Sequence, residues 1–590
     1  MSEMMDLAGK LSEAAGAAFA KLGLDAGLGA MRRSDRPDLA DFQCNGAMAA
    51  AKAARKNPRE IATAVVDALK ASPLVASAEV AGPGFINVRV SAVGLANRAG
   101  EIAGDDRAGA GGVAKPRRVV MDFGGWNVAK EMHIGHLRST VIGDSLQRLF
   151  RFMGDEVTSD VHLGDWGLQM GQLINEVRIE QPHLPYFDAG FTGPYPDESP
   201  VSMDDLGRLY PQASAKSKAD EARREEDRKA TAELQAGRPG YRALWRHFCN
   251  ATRVGLEREC ASLGVTFDLW KGESDAEPLI PEIVADLKAR GIAELDDGAL
   301  IVRVAREGDK KEVPPIILVK RDGEVGYHAT DLGTILDRKR TLDPELSLYI
   351  VDQRQALHFE QVFRASGLAG YLPESGLEHL GFGTVNGKDG KPYKTREGGI
   401  LKLHELITQA DTTALKRMQE AELGADVDET ERKEIAHKVA VAAIKFSDLA
   451  NVRTTSYIFD LDRFISFEGK TGPYLLYAAV RIKSLARRAA AEGVAPGSIS
   501  VELDAERALV LALDGFDEAL RAAYDKRMPH LLCDHAYALA TAFSGFYAAA
   551  PILVEKDNAK RASRYALALA TLKQLELVLG LIGIETPDRM

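Results

Sequence analysis

The sequence predicts an α/β fold with an all-helical C-terminal part, and three observations predict it. The apolar run RRVVMDF gives way to a glycine-bearing turn, a helix-periodic stretch and a second apolar run, DEVTSDVHL. Strand, helix and strand in that order make a βαβ unit of a parallel sheet, with its ligand at the carboxyl ends of the strands. A second stretch of mixed patterning resumes near Asp296 and runs to about Leu406, after which apolar positions recur almost wholly at helical spacing. A chain of 590 residues is too long for one core, and these shifts divide it at 1–112, 113–406 and 407–590.

The N-terminal part reads as a small α+β unit. Asn57-Pro58-Arg59-Glu60 opens a helix: Asn57 can cap, Pro58 suits the first turn, and Glu60 can complete a capping box. Ile61 to Leu69 supplies apolar positions at helical spacing. VAGPGFINVRV breaks at Gly82-Pro83-Gly84 and resumes with Ile86, Val88 and Val90 alternating, the pattern of a half-buried strand. GDDRAGAGGVAKP reads as the exit linker. In the middle part, a helix from about Ile134 carries apolar Ile142, Leu146, Leu149 and Phe150 and ends at Gly154. An insertion spans about 183–240. Its first part, residues 183–215, is broken by Pro and Gly, and KSKADEARREEDRKATAEL follows as a solvated helix with Glu225 and Lys229 paired at i,i+4.

Composition excludes several classes. With 45% hydrophobic and 27% charged residues the chain resembles an ordinary soluble globular protein. No run approaches ~18 apolar residues, so no membrane span is expected, and the acidic start has no secretory pattern. Four scattered cysteines without CxxC spacing suit a reducing cytoplasm and argue against a disulfide frame or a zinc knuckle. The net charge of −11 is unlike a nucleic-acid binder, but the acidic surplus lies in the first 440 residues, and a large chain can hold a local basic track.

The chemistry concentrates in NVAKEMHIGHLRST, residues 127–140, where His133 and His136 stand three apart around Gly135. A zinc pair would be spaced i,i+4 with a glutamate between, and no third ligand stands nearby, so no metal site is expected. Two inert histidines are the bland reading. Against it, a glycine at a strand-to-helix turn lets backbone approach a ligand, the helix start offers free N–H groups to an anion, and Lys130 adds a cation. Imidazoles there can donate to phosphate oxygens as charge builds. Downstream, GKDGKPYKTREGGIL, residues 387–401, has glycines at 387, 390, 398 and 399, and Lys391, Lys394 and Arg396 can meet pyrophosphate charge. Tyr327 and Asp331, at i,i+4, share a face if their segment is helical. Such a pair suits a guanidinium, and equally a capped helix face. Tyr474, Tyr477 and Arg481 fall at helical offsets, fit either to stack on splayed bases or to pack as a helix face with a snorkelling arginine.

MHIGHLRST resembles the HIGH motif of class I aminoacyl-tRNA synthetases, and the longer stretch is similar to the arginyl-tRNA synthetase form. Residues 387–401 resemble the KMSKS loop in the KPFKTRxGG form, with Pro392 and Thr395 where the usual lysines would be and Lys130 matching a compensating lysine before HIGH. One departure is visible: Gly124-Gly125-Trp126 stand where the family commonly has Ser-Ser/Ala-Pro, at the lip beside the adenylate. The resemblance implies a Rossmann-like catalytic domain, an N-terminal domain that meets the tRNA elbow, and a DALR-type helical anticodon-binding domain. It implies catalytic roles for Lys130, His133, His136, Lys391, Lys394 and Arg396. ATP would be held by His133, Gly135, His136, Lys394 and Thr395, and arginine by Asn127, Asp165, Tyr327, Asp331 and Gln355. Asp165, in GDWGLQMG, either holds its turn or faces the substrate ammonium. Phe85 and Asn87, matching loop positions, and Tyr474, Tyr477 and Arg481 would meet tRNA. The expected reaction joins L-arginine to the terminal 2′-hydroxyl of tRNA(Arg) at the expense of ATP with Mg²⁺, in a cytoplasmic monomer whose activation step needs bound tRNA. Two rivals remain at this stage: an ATP-dependent ligase of small acids without tRNA, and a non-catalytic tRNA-binding homologue.

Overall fold

A computed structural model describes residues 5–590 except Asp322, Pro392, residues 394–400 and Asp426. The chain falls into two compact units, one of Met1–Gly112, Arg417–Phe446 and Ile465–Met590, the other of Val113–Lys416 and Ser447–Phe464.

In the first unit, strands β1 (Met31–Arg33), β2 (Phe42–Cys44), β3 (Val75–Ala81) and β4 (Phe85–Val90) form an antiparallel sheet ordered β1-β2-β4-β3. Ile86, Val88 and Val90 are fully buried, as their alternation predicts. Asn57 caps the helix Pro58–Lys70 through the N–H of Arg59 rather than through a Glu60 box, leaving Glu60 as a charge in the first turn. The C-terminal helices of this unit include Gly472–Ala491, Asp504–Asp514, His530–Ala549 and Asn558–Leu581. Asp514, wholly buried, accepts from Arg98 Nε at 2.8 Å, Arg33 Nη2 at 2.8 Å and the Leu7 N–H at 3.0 Å. Residues from both ends of the sequence therefore share one buried ion cluster, although composition divides them.

The second unit is built on a parallel five-stranded sheet. Its strands are β5 (Arg118–Phe123), β6 (Glu156–Leu163), β7 (Leu269–Gly272), β11 (Leu346–Ile350) and β12 (Leu377–His379), ordered β12-β11-β5-β6-β7. Strands β8 (Ala293–Asp296), β9 (Ala299–Val302) and β10 (Ile316–Val319) form a separate antiparallel sheet. Short β13 (Val385–Asn386) and β14 (Tyr457–Ile458) pair in parallel. The strand order reverses between β5 and β11, the switch point where such sheets bind ligands. Ser139 spans it: its hydroxyl accepts from the Gly124 N–H at 2.9 Å and donates to the Ile350 carbonyl at 2.7 Å.

A buried ion triad joins β5 and β6. Arg338, 1% exposed, donates to Asp122 on β5 at 2.7 Å and to Asp160 on β6 at 2.8 Å. This fixes the helix Tyr327–Thr341 against the sheet.

The insertion is more ordered than its composition predicts. Residues 203–219 are helical, with Pro211 inside the helix Met203–Ala219, and the charged run continues as a second helix, Glu221–Gln235. That helix is not simply solvated: buried Asp227 accepts from Arg223 at 2.9 Å and Asn175 at 2.8 Å. Glu225 pairs with Arg228 at 3.2 Å and not, among the described residues, with Lys229. Among the described residues, no helix is long and apolar enough to cross a membrane.

Candidate active site

The turn after β5 is shaped by its backbone. Gly124 and Gly125 take φ of 98° and 61°, a left-handed region costly for side chains. They turn Trp126 inward, where it is 1% exposed against Phe267 and Trp270. The indole therefore packs beneath the turn and does not form an exposed lip. Asn127 then bridges to Gly164 of the GDWG turn, where a Cβ would come within 2.4 Å of the Asn127 Oδ1. The Val128 N–H donates to the Gly164 carbonyl at 3.0 Å.

His133 caps the helix Ile134–Met153. Its Nδ1 accepts from the Gly135 N–H at 3.1 Å, while the His136 Nδ1 accepts from the His133 N–H at 3.3 Å. A ring whose Nδ1 accepts must carry its proton, when neutral, on Nε2. The rings stack at 3.7 Å, and burial, aided by neighbouring Lys130, lowers both pKa values, that of His136 to about 3. At neutral pH the turn therefore carries two uncharged Nε2–H donors.

The downstream end of the 387–401 stretch is tied to this turn. The Ile134 N–H donates to the Leu401 carbonyl at 3.0 Å and the Leu403 N–H to the Met132 carbonyl at 2.9 Å, while Lys402 pairs with Glu131 at 2.6 Å. Upstream, the Tyr393 N–H donates to the Val385 carbonyl at 3.1 Å. Lys391 is exposed. Lys394, Thr395 and Arg396 lie outside the described residues. Arg138, to which sequence reasoning gave no role, is buried. It donates to the carbonyls of Gly383 at 3.0 Å and Thr455 at 2.7 Å and pairs with Asp448 at 3.3 Å. It thus joins the histidine-capped helix to the approach of that stretch.

The third element is anionic. Tyr327 and Asp331 lie one turn apart on the helix Tyr327–Thr341, with Tyr327 72% exposed at its first position. Asp331 pairs with His358 Nε2 at 2.7 Å, which raises the pKa of His358. Gln355 sits in the short turn Gln353–Gln355 that follows β11. Asp165 accepts from Ser274 through both carboxylate oxygens, at 2.9 Å from its N–H and 2.6 Å from its hydroxyl, which ties its turn to the residues that follow β7. Glu273, missed by sequence reasoning, is half-buried beside His162, Asp165 and Asp331, and burial raises its pKa. His358 was also missed. It stands three residues after Gln355 within the VDQRQALHFEQ segment, and no spacing rule marks either residue.

Residues 105–461 match the tRNA synthetases class I (R), catalytic domain, residues 475–590 the DALR anticodon binding domain, and residues 6–90 the arginyl tRNA synthetase N terminal domain. Over 589 residues, covering all of both chains, the sequence is 63% identical to the arginine–tRNA ligase of Hyphomonas neptunium. The chain belongs to the arginyl-tRNA synthetase family. The arginine–tRNA ligase of Maricaulis maris is 60% identical, again across the whole of both chains. The arginyl-tRNA synthetase of Plasmodium falciparum shares the fold, with a TM-score of 0.81 at 23% identity over the whole of both chains.

The arginyl-tRNA synthetase positions outside the catalytic domain fall on regular elements. Phe85 and Asn87 lie on β4, immediately after the Gly82–Gly84 turn, and not on a loop; the Asn87 Oδ1 accepts from Gln43 at 2.8 Å. Tyr474, Tyr477 and Arg481 all lie on the helix Gly472–Ala491. Tyr474 packs 5.7 Å from the Tyr537 ring and Arg481 lies 4.0 Å over Tyr547, whereas Tyr477 is 40% exposed.

Proposed function

We propose that this chain joins L-arginine to the terminal 2′-hydroxyl of tRNA(Arg) in two steps. In the first, an arginine carboxylate oxygen attacks the α-phosphorus of ATP, forming arginyl-adenylate as the bond to the bridging oxygen breaks and pyrophosphate leaves. In the second, the 2′-hydroxyl of the tRNA's terminal adenosine attacks the adenylate carbonyl and AMP departs. The observation that carries this reading is the turn of two neutral Nε2–H donors at the switch point of a parallel sheet.

The roles follow from charge. His133 and His136 donate to phosphoryl oxygens, and the Gly135 backbone leaves room for their approach. Lys130, Lys391, Lys394 and Arg396 meet the charge of departing pyrophosphate, with Thr395 beside them on ATP. Asp331 takes the guanidinium as Tyr327 stacks on it. Asn127, Gln355 and Asp165 define the rest of the amino acid pocket, Asp165 by holding its turn. Phe85 and Asn87 face the tRNA elbow, and Tyr474, Tyr477 and Arg481 face the anticodon arm. Among the described residues no group of three or more His, Cys, Asp or Glu could hold a metal ion. Mg²⁺ arrives on the phosphates of ATP as part of the substrate. The working form is a cytoplasmic monomer.

The test is attachment of radiolabelled arginine to tRNA, with and without ATP and against lysine and glutamine. ATP-dependent charging with arginine alone is expected. Pyrophosphate exchange without tRNA together with no charging would indicate a small-acid ligase, and tRNA binding without charging a non-catalytic homologue.

A further inference from the structure

Ala129 holds φ of 65°, a left-handed conformation uncommon outside glycine, and its N–H donates to the buried Thr252 hydroxyl at 3.0 Å. The next residue, Lys130, is half-buried, and burial lowers the pKa of its ammonium. Among the described residues that ammonium has no carboxylate partner; it stands 5.2 Å from the centroid of the Tyr210 ring. The neighbouring cation is treated differently, since Glu131 pairs with Lys402 at 2.6 Å.

Tyr210 belongs to the inserted helix Met203–Ala219, which Ser202 starts with a reciprocal cap to Asp205. One turn earlier, Gly207 faces Glu131: a Cβ there would lie 3.2 Å from its Oε2. Tyr210 is partly buried against the apolar cluster that includes Val128, Ala129, Leu206 and Leu209. A carboxylate would hold Lys130 equally well but would cancel the charge that a polyphosphate needs. An aromatic face attracts an ammonium while leaving its charge uncompensated.

We propose that Tyr210 is a positioning residue for the reaction, holding the Lys130 ammonium where phosphate charge develops, and that the insertion is thereby part of the working site. This rests on the role given above to Lys130. The test measures kcat and the KM for ATP and arginine of the full chain in tRNA charging for Tyr210→Phe, Tyr210→Leu, Lys130→Ala and the Tyr210→Leu/Lys130→Ala double variant, with a thermal melt of each. Tyr210→Leu is expected to lower kcat about three- to tenfold at unchanged KM for arginine, and Tyr210→Phe to stay within about twofold. Once Lys130 is alanine, Tyr210→Leu is expected to add no further loss. Full kcat in Tyr210→Leu, or the same fractional loss in both backgrounds, would overturn the proposal while leaving Lys130's role standing. Full kcat in Lys130→Ala would overturn both. Tyr210→Met, which keeps bulk without a ring, stands in under the same criteria if the leucine variant does not fold.

Discussion

His358 Nε2 lies 2.7 Å from the Asp331 carboxylate, so the acid assigned to the substrate guanidinium already has a basic partner. Asp331 raises the pKa of His358 above its ordinary 6.5. Below that raised value the ring is charged and competes with arginine; above it the ring is neutral and only orients the carboxylate. The KM for arginine should therefore rise as the pH falls through the raised value, and His358→Gln should flatten that dependence. The stability sign is opposite. The pair's contribution is fully present below about 6.5 and is lost as the pH rises through the folded value. Initial rates against arginine from pH 5.5 to 9, with melts at each pH, check both.

His136→Ala removes one preorganised donor and the acceptor of the His133 N–H. An effect confined to the transition state lowers kcat by about 10²–10³ and leaves the KM for ATP nearly unchanged. A large change in KM at constant kcat would contradict it. Because the ring's pKa is lowered to about 3, the kcat profile should show no limb from His136 at neutral pH. Any stability held by keeping this ring neutral is lost as the pH falls from about 6.5 toward 3.

Arg338→Met leaves Asp122 and Asp160 buried without their cation. Breaking such a cluster costs about 3–5 kcal/mol, and adding Asp122→Asn and Asp160→Asn should restore much of it. Chemical denaturation of the single and triple variants reads the difference. The single variant should also raise the KM for arginine, since Arg338 anchors the helix that carries Asp331.

Gly164→Ala places a methyl group 2.4 Å from the Asn127 Oδ1. The amide must move, and if Asn127 orients the substrate as proposed, a displacement near 1 Å is expected to cut kcat/KM for arginine about tenfold or more. Unchanged kinetics would remove Asn127 from the pocket.

Periodicity carried far in this sequence. The alternation of Ile86, Val88 and Val90 and the helix from Ile134 to Gly154 were legible because apolar burial sets their spacing. The helix Glu221–Gln235 reads as solvated, and its outer face is; its inward face was not legible because, beside buried Ala230 and Leu234, Arg223 meets Glu176 and Asp227 out of water, which composition cannot distinguish from exposed charge. The histidine turn could be read because its residues are adjacent. Arg138, Glu273 and His358 are single residues whose partners lie far away in the chain, as with Arg138 and Asp448, so no local pattern announces them.

The cluster at Asp514 bears on how this polypeptide can be dissected. A fragment starting after Gly112 would lack Arg33, Arg98 and the Leu7 amide, and would keep an anion sealed in its interior with those donors gone. Head and tail are one woven piece, so a tail expressed alone is expected to be poorly soluble, and supplying the first 112 residues as a separate chain is expected to rescue it.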